Sequence, residues 1–357
     1  HSADNVVGTE LVVYSAAISK DNPEIVRAGE LGIPTLERCD LLGIITRKFS
    51  NVIGVSGTHG KTTVSSMLTQ VMLMNDKDPT AVIGGRLPLI NANGCAGESE
   101  NMVCEACEFV DTFLKLSPDM AILLNIDNDH LDYFKTMDNL VLSFNKFLRM
   151  TKLSYVNGDD ELALKATEGI DADIVTFGFG ENCDYRAENV TADKGVHEQY
   201  DLYYRGEKLC SIKLIVPGKH NVYNSLSAYS VGVLLGMTDE QIRRGLKSFV
   251  GADMRQNIYD VGGITVIDDC YNASPESMRA ASEVLSTLAA EKGGKKIALL
   301  GDMLELGDFS NDLHYSIGEH FGALGVRLFT FGERAERIAD GAAKHLDSDM
   351  ITRSCAT

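Results

Sequence analysis

Two rhythms of apolar positions alternate along this chain. Short apolar, β-branched runs recur, and most are followed by a stretch with apolar residues at helical spacing. Val52–Ser56, Thr80–Ile83, Met102–Glu105, Met120–Asn125, Ser154–Asn157 and Ile174–Phe177 read as strands. Lys61–Leu73, Met137–Arg149 and Asp160–Thr167 read as the helices between them. Strands that alternate with helices predict a mostly parallel sheet covered on both faces. Asp184–Val190, Asp201–Arg205 and Lys208–Val216 are β-rich and predict a small antiparallel patch. Pro217-Gly218-Lys219 then leads into a long helix, Asn221–Leu235, and Asp239-Glu240 starts another that ends near Lys247.

Shorter elements precede this unit: a strand at Glu10–Tyr14, a helix at Asn22–Leu31, and a further short strand entered at Pro34. A fresh α/β rhythm follows it. Ile264–Asp268, Lys296–Leu300 and Leu328–Phe331 are its strands, and Pro275–Leu288, Asp312–Phe321 and Arg334–Lys344 its helices. Gly293-Gly294, Gly301 and Gly307 punctuate it. The expected organisation is therefore α/β throughout, in three units: 1–50, a central parallel sheet over 51–250, and a Rossmann-like unit over 251–357.

Charge narrows the choice of partners. The 357 residues carry a formal net charge of −18 and a pI near 4.8. Such a surface repels a nucleic-acid backbone, so nucleic acid is a poor partner. An anionic small molecule would need local cations, which draws attention to Lys61 and Arg255. No apolar run approaches the ~20 residues of a membrane-spanning helix, and no signal peptide is visible. The eight cysteines are unevenly spaced. Cys104 and Cys107 form a CxxC without the second pair that a structural zinc site wants, so reduced thiols of a cytoplasmic protein are the expectation. The chain opens on His1 rather than Met, and an upstream segment is expected.

The densest chemical signal is Val52-Ile53-Gly54-Val55-Ser56-Gly57-Thr58-His59-Gly60-Lys61-Thr62-Thr63. A buried strand turns into a glycine-bracketed loop that opens a helix. Backbone N–H groups of such a loop and the helix N-terminus cradle phosphates. Lys61 would reach the β/γ-phosphates of ATP, and the Thr62 hydroxyl would sit on Mg²⁺. The glycine falls at Gly57 instead of the Val55 position that the general GxxxxGK pattern prefers. No base-reading NKxD segment accompanies the loop, which disfavours a GTPase.

Other polar clusters end strands or begin helices. Asn125-Ile126-Asp127-Asn128-Asp129-His130-Leu131-Asp132 follows an apolar strand, at the edge where open α/β sheets bind ligands. Its carboxylates and imidazole suit a divalent cation, or a solvated, helix-capping loop. Glu105 ends another strand and could add a carboxylate, although alone it reads as surface. Asn221 and Asn224 stand at a helix start; spacing favours a cap over a purine contact. Asp268-Asp269-Cys270-Tyr271-Asn272-Ala273-Ser274-Pro275 follows the first strand of the last unit, with Pro275 well placed to open a helix. Arg255 could swing toward the phosphates or form an ordinary ion pair.

In order and spacing, GTHGKTT, EACEFVDTFLKLSP, NIDNDHLDYF and PGKHNVYNSLSA resemble the Mur ligases of peptidoglycan synthesis. Those enzymes join an amino acid or dipeptide to a UDP-muramyl precursor, using ATP. Residues 1–250 are most similar to the branch that adds L-alanine to UDP-N-acetylmuramate. MRQNIYDVGGITVIDDCYNASPESM and ALLGDMLELG are similar to the branch that adds D-alanyl-D-alanine to a UDP-muramyl tripeptide. The L-alanine branch would show a DDYAHHP-like run where this chain has DDCYNASP. A natural domain recombination, an engineered chimera or an unusual lineage would all look like this.

The resemblance implies three domains: 1–50 as the remainder of a UDP-substrate domain, 51–250 as the ATP-binding domain, and 251–357 as the domain that binds the incoming amine. Gly57, Thr58, His59, Gly60, Lys61, Thr62 and Thr63 would form the phosphate loop. Lys61 would contact the transferred phosphoryl group, Thr62 and Glu105 the first Mg²⁺, and His130 a second metal. Asn221 and Asn224 match adenine-side asparagines. Arg255 would reach the γ-phosphate and Asp269 the ribose, with Tyr271 and Asn272 near the amine. Several siblings use a carbamylated lysine whose position falls here at Phe144.

The implied activity is an ATP- and Mg²⁺-dependent cytoplasmic ligase, joining L-alanine to UDP-N-acetylmuramate through an acyl phosphate. D-Ala-D-Ala is the alternative amine. An ATP-binding chain without turnover and a P-loop ATPase switch are the competing classes. Nothing in the sequence speaks to the number of subunits.

Overall fold

The computed structural model describes residues 1–193, 197–252, 257–304 and 306–354. Arg255 lies outside them. Among the described residues the largest element is a ten-stranded sheet. Its order is Glu207–Lys213, His197–Tyr204, Tyr185–Asp193, Asp173–Gly178, Leu153–Asn157, Met120–Leu123, Asn51–Ser56, Asn101–Glu105, Thr80–Leu87, Ala92–Cys95. Pairing is parallel from Tyr185–Asp193 across to Thr80–Leu87. It becomes antiparallel at both margins. The β-rich segments after Asp184 thus extend the main sheet instead of forming a separate patch.

The strand Asn51–Ser56 is buried at Val52 to Ser56 and lies between Met120–Leu123 and Asn101–Glu105. Its successive side chains feed two cores. Ile53 and Val55 join the face packed by helices Lys61–Leu73, His220–Leu234 and Asp239–Lys247. Val52 joins the opposite face, covered by Met137–Leu148. A parallel sheet buried on both faces explains why these strands read as continuous apolar runs. On the second face Phe113 stacks on Phe147, ring centroids 4.7 Å apart, and meets Phe144 edge-on at 5.4 Å. Phe144, fully buried, is therefore a core side chain.

The chain crosses from Asn51–Ser56 to one side of the sheet and later adds Met120–Leu123 on the other. The strand order reverses there, which opens a crevice at the carboxyl ends of the strands. The phosphate loop lies at that point.

Among the described residues three smaller sheets accompany this body. Val12–Tyr14 pairs in parallel with Thr35–Glu37 near the N-terminus. Toward the C-terminus, Ile297–Gly301, Arg327–Phe331 and Ile351–Ser354 form a three-stranded parallel sheet. One expectation fails here. Ile264–Asp268 does not lead that sheet; it pairs antiparallel with Asn257–Val261 in a separate hairpin. The turn residues Gly262 and Gly263 have φ of 57° and 83°. Two successive left-handed residues favour the tight hairpin turn that matches strand twist. The helix Pro275–Lys292 starts at a capping box of Ser274 with Ser277 and ends at Gly293.

Candidate functional site

The loop after Asn51–Ser56 is shaped by two glycines, Gly57 at φ 132° and Gly60 at φ 88°. L side chains rarely adopt either conformation. A Cβ on Gly60 would also lie 2.8 Å from Asn224 Oδ1, so loop and helix His220–Leu234 approach closely only because glycine stands there.

A second strand end holds the loop open. Asn125 accepts from the His59 N–H through Oδ1 at 2.8 Å and donates from Nδ2 to the His59 carbonyl at 3.1 Å. The Thr58 N–H donates to the Asn125 carbonyl at 3.0 Å. Asp127 donates its N–H to the Thr58 hydroxyl at 2.8 Å. Nothing in the sequence alone separates Asn125 from its polar neighbours; its role depends on two strand ends brought together by the fold.

Lys61 opens the helix Lys61–Leu73. Its Nζ donates to the carbonyls of Gly57 at 2.6 Å and Thr58 at 3.1 Å, and lies 3.0 and 2.9 Å from the two carboxylate oxygens of Glu108. Glu108 is only 1% exposed. Burial presses the Lys61 ammonium toward lower pKa, but Glu108, Cys107 and Glu105 outweigh it and hold the value above the ordinary lysine range. Glu108, like Asn125, is not singled out by the sequence pattern.

The expected site residues converge. One cavity of about 590 Å³ is lined by Thr58, His59, Gly60, Lys61, Thr62, Thr63, Glu105, His130, Asn221, Asn224, Asp269, Tyr271 and Asn272. Gly57 lies in the turn beneath it, and Arg255 is outside the described residues. Asn125, Cys107 and Glu276 also face the cavity.

Glu105 accepts from the Gly84 N–H at 2.8 Å. Tyr271, from the C-terminal segment, donates its hydroxyl to the Gly84 carbonyl at 2.9 Å. His130 has φ 53° and a mostly buried ring that packs 4.8 Å from the ring of Phe109. Its Nδ1 stands 3.7 Å from Asp129 Oδ1.

Asn221 and Asn224 correct the capping reading. The helix N-cap is Lys219, with no side-chain cap. Asn221 donates to the Pro217 carbonyl at 2.6 Å and accepts from Asn224 Nδ2 at 2.9 Å, so the two amides form a buried pair one turn apart. They line the same cavity as the phosphate loop.

The oxygen donors on the cavity wall include the Thr62 hydroxyl and the Glu105 carboxylate, a chemistry that fits a hard divalent cation such as Mg²⁺. Among the described residues, two triads of candidate ligands have their donor atoms within 4.8 Å of one another: Glu37–Cys39–Asp40 and His59–Asp127–Glu276. Neither contains Glu105 or His130. In the second triad His59 Nε2 stands 3.9 Å from Asp127 and 3.7 Å from Glu276, which begins the helix Pro275–Lys292. Burial, and then Asp127, raise the pKa of Glu276 above the usual carboxylate range.

A glycine-bracketed loop at a strand-order reversal, an N-terminal lysine and threonine on the following helix, and a cavity above them define a P-loop α/β protein. Comparison with known proteins is more specific. Residues 55–232 match the Mur ligase middle domain, 254–354 the Mur ligase glutamate ligase domain, and 1–50 the Mur ligase family catalytic domain. The chain belongs to the Mur ligase family.

UDP-N-acetylmuramate–L-alanine ligases are similar to it at 40% identity. The one from Caldanaerobacter subterraneus subsp. tengcongensis matches over 287 residues, 79% of this chain and 62% of the relative. The one from Caldicellulosiruptor saccharolyticus matches over 297 residues, 82% and 65%. The matches thus span under two thirds of these relatives' length. Among solved structures, the Thermotoga maritima UDP-N-acetylmuramate–alanine ligase superposes with a TM-score of 0.84 at 26% identity, covering 100% of this chain and 79% of that one. A MurF from Acinetobacter baumannii gives 0.77 at 24% identity, covering 97% and 81%, and shares the fold.

Proposed function

We propose that this chain is an ATP-dependent amide ligase that joins L-alanine to UDP-N-acetylmuramate. The observation that carries the reading is the single cavity that gathers the phosphate loop, Glu105 and His130, the Asn221–Asn224 pair, and Asp269, Tyr271 and Asn272 from the C-terminal segment. The similar L-alanine ligases support the amine. Their matched span covers 79% of 357 residues, longer than the first 250, so it runs into the C-terminal segment.

In this reading 1–50 belongs to the UDP-substrate domain, 51–250 binds ATP and 251–357 receives the amine. Lys61 contacts the phosphoryl group that is transferred, and Arg255 reaches it from the third domain. Asn221 and Asn224 face the adenine and Asp269 the ribose. Thr62 and Glu105 would hold Mg²⁺ and His130 a second ion, and the bound metal would neutralise phosphate charge.

A carboxylate does not accept an amine at neutral pH until it carries a leaving group. The muramyl carboxylate oxygen attacks the γ-phosphorus, ADP leaves, and an acyl phosphate results. The alanine nitrogen then attacks the acyl carbon and phosphate leaves as the amide forms. Lys61 and the loop N–H groups contribute by positioning and by charge already in place, which is how phosphoryl transfer is mostly catalysed. Tyr271 and Asn272 lie where the amine would arrive, and closure of the third domain excludes water. Among the described residues no helix is long and apolar enough to cross a membrane. Use of ATP and a UDP-linked precursor leads us to place the reaction in the cytoplasm.

The DDCYNASPESM segment favours a second reading, in which the amine is D-Ala-D-Ala and the acceptor a UDP-muramyl tripeptide. Phosphate release is measured with ATP, Mg²⁺ and each acceptor–amine pair. Release dependent on UDP-N-acetylmuramate and L-alanine supports the first reading. Release only with the tripeptide and D-Ala-D-Ala replaces it with the second, and none with any pair refutes both.

A further inference from the structure

The Lys61 ammonium has three N–H bonds to give. Four protein oxygens surround it: Gly57 O, Thr58 O, and both carboxylate oxygens of Glu108. A phosphate oxygen can therefore join Lys61 only by displacing one of these acceptors. The Gly57 and Thr58 carbonyls lie in the loop that is to cradle the phosphate, so moving them would deform the cradle. Glu108 stands apart, 47 residues along the chain, on the segment that follows the strand Asn101–Glu105. It brings a full negative charge, 1% exposed, to the nitrogen that a polyanion must approach.

We infer that Glu108 is a positioning residue that competes with the nucleotide triphosphate for Lys61 and so sets how tightly the terminal phosphates are held. The inference rests on the nucleotide reading of the cavity and deepens it. Glu108 keeps Lys61 folded over its own loop and lowers the affinity for any ligand that recruits the lysine. A ligand that does not reach Lys61 is unaffected. For a ligase the consequence is useful: terminal phosphates bound less tightly are more easily transferred, because binding energy is reserved for the transition state.

The test uses the whole chain and two probes, Mg²⁺ with the non-hydrolysable triphosphate AMPPNP, and AMP, with affinities from calorimetry. Glu108→Gln keeps the shape and removes the charge. Surrender of one charge-assisted hydrogen bond at Lys61 then costs less, and AMPPNP should bind roughly tenfold tighter, as expected for about 1.5 kcal/mol. AMP affinity should be unchanged, which a merely structural role for Glu108 would not produce. Glu108→Asp retracts the carboxylate by one methylene and should shift AMPPNP in the same direction by a smaller factor. It carries the test if Glu108→Gln does not fold. AMPPNP binding that stays the same or weakens in these variants, or AMP binding that shifts equally, overturns the assignment while leaving the nucleotide site intact. A wild-type chain that binds neither probe overturns the nucleotide reading and this inference with it.

Discussion

Tyr271 donates its hydroxyl to the carbonyl of Gly84 at 2.9 Å, across 187 residues of sequence. The bond ties the segment that leads into helix Pro275–Lys292 to the strand Thr80–Leu87 of the large sheet. Tyr271→Phe removes the donor and leaves the ring. Loss of one partly exposed hydrogen bond is worth about 1 kcal/mol. Amide exchange through helix Pro275–Lys292 should rise by about fivefold, while exchange in helix Lys61–Leu73 stays constant. Unchanged exchange in both would show that the bond does not anchor the C-terminal segment.

Gly84 also donates its N–H to Glu105, and a Cβ there would stand 2.3 Å from Glu105 Oε1 and 2.5 Å from Oε2. Gly84→Ala must push the carboxylate aside. The expected result is weaker Mg²⁺-dependent nucleotide binding, with Mg²⁺-free AMP binding preserved. Equal Mg²⁺ dependence in wild type and variant would remove Glu105 from the metal site.

Lys61→Ala should abolish substrate-dependent phosphate release, but it will not be silent in the fold. It strands the buried Glu108 charge, and breaking a buried pair from one side costs about 3 kcal/mol. The variant should melt several degrees below wild type, and Lys61→Ala combined with Glu108→Gln should recover most of that loss without recovering turnover. Thermal unfolding of wild type, Lys61→Ala, Glu108→Gln and the double variant checks this; Lys61→Ala as stable as wild type would contradict the buried pairing.

His314 contributes to the pH dependence of stability. It is fully buried; Nε2 accepts from the Met303 N–H at 2.9 Å, and Nδ1–H donates to the Ser310 carbonyl at 2.7 Å. Both nitrogens are satisfied by the neutral ring, and burial lowers its pKa below the ordinary 6.5. Above that value the ring is neutral in both folded and unfolded chains and contributes no pH dependence. As pH falls below it the unfolded chain binds the proton first, so stability declines. Melting temperatures between about pH 8 and about pH 5 should fall on the acid side. His314→Gln should lower the whole curve and flatten that limb; an equally steep limb in the variant would assign the acid loss elsewhere.

Local patterns foretell much of this. The strand, loop and helix around Lys61 are written in adjacent residues, and the helix Lys61–Leu73 has the bounds its periodicity predicts. Glu108 and Asn125 are different, since they meet the loop from 47 and 66 residues away and only the sheet order brings them there. The hairpin Asn257–Asp268 was open to reading, because Gly262-Gly263 between two alternating runs is a turn signal. The Asn221–Asn224 pair misleads for a physical reason. Asparagine near a helix start usually caps it, whereas here the backbone entering from Pro217 turns both amides inward.

The most direct test of ligase function is product analysis. The whole chain is incubated with ATP, Mg²⁺, UDP-N-acetylmuramate and L-alanine, and the nucleotide sugar is weighed by mass spectrometry. The expected product is UDP-N-acetylmuramoyl-L-alanine, formed together with ADP and phosphate and absent when L-alanine is omitted. ATP consumption without that product, or product only from D-Ala-D-Ala and a muramyl tripeptide, would contradict it.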